Sequence, residues 1–202
     1  MSKRGDSANY ALDSAQVKRL MDSCADTEER TIIGCMVYLG LRISEVAHMR
    51  ADWLKGDGML HIPFRQLCNC NECQHTAGEP GIWHPKTKAG ARVLPIPSLL
   101  RGDIEHLLHT QADGLQLSRV TLWGRSKTIM KRAGIQVKGL SGNTAYPHAL
   151  RATCATMLAA NGMSAVALAY YMGWKSIVLG DHYVRLAEAK EIAIKQAQRI
   201  FG

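Results

Sequence analysis

Leu39-Gly40-Leu41-Arg42-Ile43-Ser44-Glu45 closes one helix and opens another. Upstream of it, Asp26 begins a stretch in which Ile32, Ile33, Met36, Val37 and Leu39 recur at helical spacing, and Gly40 stops it. Arg42 then stands just past a glycine-ended helix. Glu45 follows three residues later, where its carboxylate can hold the guanidinium in one pose. A short third helix runs from Ile43 to about Met49. Before all of these, Asp13 reads as the N-cap of an amphipathic helix over 14–24, and residues 1–12 read as a loosely ordered lead-in.

Downstream the character changes. Trp53, Leu60, Ile62, Val93, Leu94 and Ile96 fall in short runs broken by Gly56-Asp57-Gly58 and Lys88-Ala89-Gly90. That pattern predicts a small antiparallel sheet over 52–97. After Pro97 the chain is helical again: about 98–109, 117–133, 147–161 and 164–172, then a short turn near 177–184 and a last helix over 186–200. Gly134, Gly162 and Gly173 punctuate these elements. The expected fold class is mainly α with a small antiparallel β-sheet (α+β), in a single domain across 1–202.

The 202 residues are 47% hydrophobic and 21% charged, which excludes disorder as the dominant state. No stretch approaches the ~20 apolar residues of a membrane helix, and no apolar segment follows Met1-Ser2-Lys3-Arg4, so a cytoplasmic location is expected. The net charge of +8 is unevenly placed. Residues 114–180 contain no Asp or Glu but carry Arg119, Arg125, Lys127, Lys131, Arg132, Lys138, Arg151 and Lys175. A third of the chain with one sign of charge points to a polyanion such as nucleic acid. The helix over 117–133, with Arg119, Arg125, Lys127, Lys131 and Arg132, is the candidate reader of DNA.

Three further groups of residues resist explanation by core-building. Pro147-His148-Ala149-Leu150-Arg151 puts His148 and Arg151 on one face of a helix, near its anion-favouring N-terminus. Gly173-Trp174 is followed nine residues after the tryptophan by Tyr183. Lys86-Thr87-Lys88-Ala89-Gly90-Ala91-Arg92 forms a basic turn between strands. Taken singly, each has an ordinary reading: Arg42–Glu45 as a structural ion pair, Trp174 as a core aromatic, His148 as a helix-start residue. Tyr170 and Tyr171, in an apolar run, read as core.

Taken together, these residues resemble the tyrosine recombinase (integrase) family. Its pattern is Arg, a Lys on a sheet turn, His-x-x-Arg, His or Trp, then Tyr. Here the same order is met by Arg42, Lys88, His148, Arg151, Trp174 and Tyr183, with Glu45 in support. The spacings of 23 residues from Arg151 to Trp174 and nine from Trp174 to Tyr183 also agree. Lys86 competes with Lys88, which is preferred because it abuts the Ala89-Gly90 turn. The resemblance covers about 11–200 and matches the family's catalytic domain, without the core-binding domain that usually precedes it.

The resemblance implies site-specific recombination of double-stranded DNA attachment sites through a 3′-phosphotyrosine intermediate, without metal or ATP. The physical logic fits these side chains. Two guanidinium forks, Arg42 and Arg151, suit the non-bridging oxygens of a phosphorane. The Trp174 indole can donate to the same phosphate. His148 can take a proton from Tyr183 or hydrogen-bond the phosphate, and Lys88 can protonate the departing 5′ oxygen. The expected role is integration or excision of a mobile or viral element. The alternatives are Xer-like chromosome dimer resolution, or a non-catalytic DNA-binding regulator on the same fold.

Two segments stand apart from this pattern. An insertion over 65–84 holds Cys68, Cys70, Cys73 and His75, with His61 and His84 on its flanks. It reads either as a structural zinc site on Cys68, Cys70, Cys73 and His75, His61 or His84 replacing one of them, or as a reduced Cys-rich loop. The helix over 186–200 offers Leu186, Ile192, Ala193, Ile194, Ala197 and Ile200 as apolar positions. The resemblance implies docking of this tail on a neighbouring protomer in a dimer or tetramer on DNA; packing on its own domain is the other reading.

Overall fold

The computed structural model describes residues 6–135 and 146–201, so Lys138 lies outside the described residues. A 3-10 turn over Asp6–Tyr10 leads into α1 (Ser14–Asp22), α2 (Thr27–Val37) and α3 (Ile43–His48). Asp13 caps α1 by accepting from the Gln16 amide at 2.7 Å, and Asp26 caps α2 by accepting from Glu29 at 2.7 Å. The middle of the chain holds β1 (Met59–Ile62), β2 (Gln66–Leu67), α4 (Asn71–Gln74), β3 (Ile82–Trp83) and β4 (Arg92–Pro95). The helices α5 (Ser98–Thr110), α6 (Arg119–Arg132), α7 (Tyr146–Ala160), α8 (Ala165–Tyr171) and α9 (Ile177–Phe201) follow.

Helices α2 and α7 are central. Ile32, Ile33, Cys35, Met36 and Val37 of α2 are fully buried, and the helix packs against α5, α6 and α7. The β1 and β4 strands pair antiparallel, with Leu60 opposite Leu94 and Ile62 opposite Arg92. That ladder is the expected sheet. The insertion between its strands forms its own hairpin, β2 with β3 (Gln66 opposite Trp83), and carries α4 at its tip. A second, smaller core joins α7, α8 and α9 through Cys154, Ala155, Leu168, Met172 and Tyr183. The mainly α architecture with a small antiparallel sheet is as expected. Among the described residues no helix is long and apolar enough to cross a membrane.

Three local expectations are corrected. The described part of the lead-in, residues 6–12, is docked rather than loose: Leu12 is buried, and its amide donates to Thr153 Oγ1 of α7 at 2.8 Å. Residues 177–184 are not a turn separate from the tail; α9 runs unbroken through Tyr183 to Phe201. No Gly or Pro interrupts 181–201, and Asp181–Arg185 and Glu191–Lys195 pair at i,i+4 along it. Tyr170 is not core: it is well exposed, with its hydroxyl accepting from the Val93 amide at 3.4 Å. Tyr171 is half-buried, as its apolar setting predicts, and donates to Tyr38 O at 3.0 Å.

Candidate active site

Two helix ends build the floor of the site. Gly40 follows α2 with φ +58°, and Gly173 follows α8 with φ +59°. A side chain is strained in that left-handed region. It would also collide: a Cβ on Gly40 would meet Met172 Sδ at 2.7 Å, and one on Gly173 would meet an Arg92 nitrogen at 2.9 Å. Both turns thereby present bare carbonyls to arginines. Arg151 donates to Gly40 O and to Met172 O. Arg42 donates to Gly173 O at 2.8 Å.

Between these arginines lies Glu45, fully buried on α3. Its carboxylate accepts from the Arg42 amide (2.9 Å) and from the Arg42 guanidinium (2.8 Å). It also accepts from both terminal nitrogens of Arg92, at 3.3 and 3.1 Å. Burial works against the charge on Glu45, but Arg92, Arg151 and Arg42 outweigh it and hold the carboxyl below its usual range. For Arg151 burial comes first and the Arg42 charge second. They push it down to about 9, Glu45 opposing them, so the guanidinium is still protonated at neutral pH.

Arg92 is the residue that sequence reasoning missed. In the sequence it stands at the end of a basic turn. In the structure it is buried, pointing inward from β4, with further bonds to Gly90 O (2.7 Å) and Tyr171 O (2.7 Å). It ties the sheet, the 3-10 turn Lys88–Gly90 and the end of α8 to Glu45. Its signal in sequence is slight: an Arg at an inward register position among Leu94 and Ile96 needs a buried acid, and Glu45 is the acid available.

Tyr183 and Trp174 lie together, rings stacked at 5.5 Å and 18°. Tyr183 is 4% exposed, and His182 packs edge-on to it at 5.8 Å. Trp174 directly follows Gly173, whose carbonyl holds Arg42, so the stacked pair adjoins the arginine cluster. His148 lies in the first turns of α7 at a solvent-facing position, yet loss of water around the ring is the first cause of its lowered pKa. The charges of Arg151, Lys86 and Arg42 follow. The imidazole therefore stays neutral to lower pH than usual. Lys88 opens the exposed side of its 3-10 turn.

The structure thus gathers Arg42, Arg92 and Arg151 around Glu45, with the Trp174–Tyr183 stack adjoining through Gly173 and His148 on the same helix as Arg151; Lys86 and Lys88 both hold exposed positions on the turn before β4. The basic residues of α6 are partly engaged: Arg119 with Glu72 (2.9 Å), Arg125 with Glu28, Arg132 with Glu29 (2.6 Å). Lys127 lies over the Trp123 ring at 4.1 Å, and Lys131 is exposed. These arginines are half-exposed, where ion pairs are screened by water and contribute little. Of the predicted metal set, Cys68, Cys70 and Cys73 converge, but with His48 rather than His75. His75 is exposed and its Nδ1 bonds Asn71 O at 2.9 Å.

Comparison with known proteins finds the same fold. Similar solved structures include XerA recombinase (17% identity, TM-score 0.67, covering 94% of this chain and 63% of that one). The Tn1549 transposon integrase in complex with transposon right end DNA is 22% identical with a TM-score of 0.64, covering 91% of this chain and 66% of that one. The catalytic domain of bacteriophage HP1 integrase is 18% identical with a TM-score of 0.57, covering 92% and 93%. The chain thus spans just under two thirds of the first two and nearly all of the third. No curated protein sequence matches it. The phage integrase family model matches residues 11–190, a span that contains every residue of the arginine cluster as well as Trp174 and Tyr183, and the chain belongs to that family.

Proposed function

We propose that this chain is the catalytic domain of a site-specific recombinase that cuts and rejoins DNA through Tyr183. One observation carries the reading. Three guanidinium groups, Arg42, Arg92 and Arg151, surround one carboxylate, Glu45, beside the stacked Trp174–Tyr183 pair. An excess of two positive charges at a largely buried site is costly unless an anion completes it. Arg92 has no solvent exposure, whereas the Arg42 side chain keeps an exposed edge, so Arg42 is proposed to face the phosphate directly and Arg151 to join it by exchanging one of its carbonyl partners, Gly40 O or Met172 O.

In the proposed reaction Tyr183 leaves its stack and its hydroxyl attacks the phosphorus of a DNA phosphodiester. The bond to the 5′ oxygen breaks, and a 3′-phosphotyrosine forms. The hydroxyl proton passes to neutral His148. The 5′ oxygen takes a proton from the lysine turn, with Lys88, beside Ala89-Gly90, as the donor and Lys86 as its competitor. Arg42, Arg151 and the Trp174 indole hold the charge that builds on the non-bridging oxygens. A second 5′ hydroxyl reverses the steps, so strand exchange needs no external energy source.

Duplex DNA as partner is supported by the basic 114–180 segment and by likeness to structures holding DNA, the Tn1549 integrase and the XerH recombinase bound to difH substrate. The proposed role is integration or excision of a mobile or viral element. Phosphate contacts from Arg119, Arg125, Lys127, Lys131 and Arg132 would place the duplex. The far part of α9, with Ile192, Ile194, Ile200 and Phe201 exposed, is proposed to dock on a neighbouring protomer. The test is a nicked suicide substrate incubated with protein in EDTA. A covalent protein–DNA band that disappears in Tyr183→Phe, while DNA binding persists, supports the reading. Cleavage that survives Tyr183→Phe overturns it.

A further inference from the structure

The insertion holds a second site, distinct from the arginine cluster. His48 Nε2 and the Sγ atoms of Cys68, Cys70 and Cys73 all lie within 4.8 Å of one another. We propose that these four side chains bind one structural zinc ion, with His48, from α3, as the fourth ligand.

The distances fit a metal better than they fit packing alone. A tetrahedral zinc with ordinary Zn–S and Zn–N bonds places sulfur and nitrogen ligand atoms about 3.6 Å apart. Here His48 Nε2 lies 3.5 Å from Cys70 Sγ and 3.4 Å from Cys73 Sγ. The tautomer also fits. His48 Nδ1 sits 2.7 Å from Ser44 O, an atom that can only accept, so Nδ1 carries the hydrogen and Nε2 turns its lone pair toward the sulfurs. Three thiolates and one imidazole in a closed, half-buried setting suit zinc.

The support around the ligands is continuous. The His48 ring stacks on Trp83 at 5.2 Å and 19°. Gln66 donates to His48 O at 2.8 Å and accepts from the Trp53 indole at 2.7 Å. The Cys73 amide points at Cys70 Sγ (3.4 Å), Gly81 donates to Cys73 O (3.0 Å), and Cys68 donates to Gly81 O (2.8 Å). Yet the regular structure of the insertion is only two two-residue strands and a four-residue helix. Elements so short do not hold themselves together in water. A metal would supply the missing free energy.

Binding is balanced simply. Three thiols lose their protons to solvent, the imidazole stays neutral, and the centre carries one net negative charge. The consequence reaches the active site, because α3 carries Arg42 at its start, Glu45 in its middle and His48 at its end. The ion would fasten the far end of the short helix that positions the phosphate-binding arginine.

The site is independent of the catalytic reading, since its tests read metal and not cleavage. Protein purified under reducing conditions without chelator is expected to hold one zinc per chain by elemental analysis. X-ray absorption at the zinc edge is expected to give three sulfurs and one nitrogen. His75→Ala, on an exposed side chain, should leave both unchanged. His48→Ala should lose the nitrogen ligand, or the metal. Protein that neither holds zinc nor takes up zinc or cobalt overturns the proposal. So does a different ligand set, or loss of the nitrogen in His75→Ala.

Discussion

Replacing Glu45 by Gln isolates the electrostatics of the arginine cluster. The substitution keeps the shape of the side chain and removes one negative charge from a position with no solvent exposure. It leaves the Arg42, Arg92 and Arg151 guanidinium groups without a counter-ion, and turns one carboxylate oxygen into an amide donor facing other donors. Removing one partner of a buried ion pair costs about 3–5 kcal/mol. Because Gln still accepts through one oxygen, the lower end applies, and about 3 kcal/mol in a chain of this size lowers Tm by roughly 6–12 °C. Thermal unfolding followed by circular dichroism measures it. The same series in added sulfate or short duplex DNA carries a second expectation. An anion that enters the cluster replaces part of the missing charge, so it should raise the Tm of Glu45→Gln more than that of the parent. A loss of under about 1 kcal/mol, or equal anion effects on both proteins, would refute the argument that the cluster is an anion site held by one carboxylate.

Other expectations follow from the same geometry. His148 should titrate below its ordinary value of 6.5 in the free protein, and its midpoint should rise when DNA phosphate is added, as NMR of the ring protons would show. The sign for folding follows: a lowered folded value means that this stability contribution is full above 6.5 and is lost as pH falls through the folded value. Lys88→Ala should slow cleavage more than Lys86→Ala, and a substrate with sulfur at the scissile 5′ position, which leaves without a proton, should restore the rate; the reverse ranking moves the role to Lys86. Ile192→Asp should weaken cooperative assembly on paired sites and leave binding to a single site unchanged, by gel-shift titration.

Much of the architecture is legible in the sequence because its signals are local. The caps Asp13 and Asp26, the stop at Gly40 and the alternating residues of β1 and β4 each act within a few positions. Arg42–Glu45 is legible for the same reason, as an i,i+3 pair at a helix start. What escapes is set by distance along the chain. Arg92 is explained only by an acid 47 residues earlier, and His48 joins the cysteines only when α3 and the insertion fold together, 25 residues separating it from Cys73. His75 reads as the fourth ligand in the sequence because spacing is the only guide there. The continuity of α9 is not legible because Gly180 weakens the helical signal near 177–184; the structure carries the helix through it, where the glycine lets α9 pass against Ala165 too closely for a side chain.

The central claim is that Tyr183 is the nucleophile, and it is tested most directly by locating the covalent bond. Trapped protein–DNA complex is digested with protease and nuclease, and the peptides are sequenced by mass spectrometry. The account predicts a nucleotide 3′-phosphate on the peptide containing His182-Tyr183-Val184, at the tyrosine. An adduct on Tyr170 or Tyr171, or cleaved DNA with no adduct on any tyrosine, would contradict it.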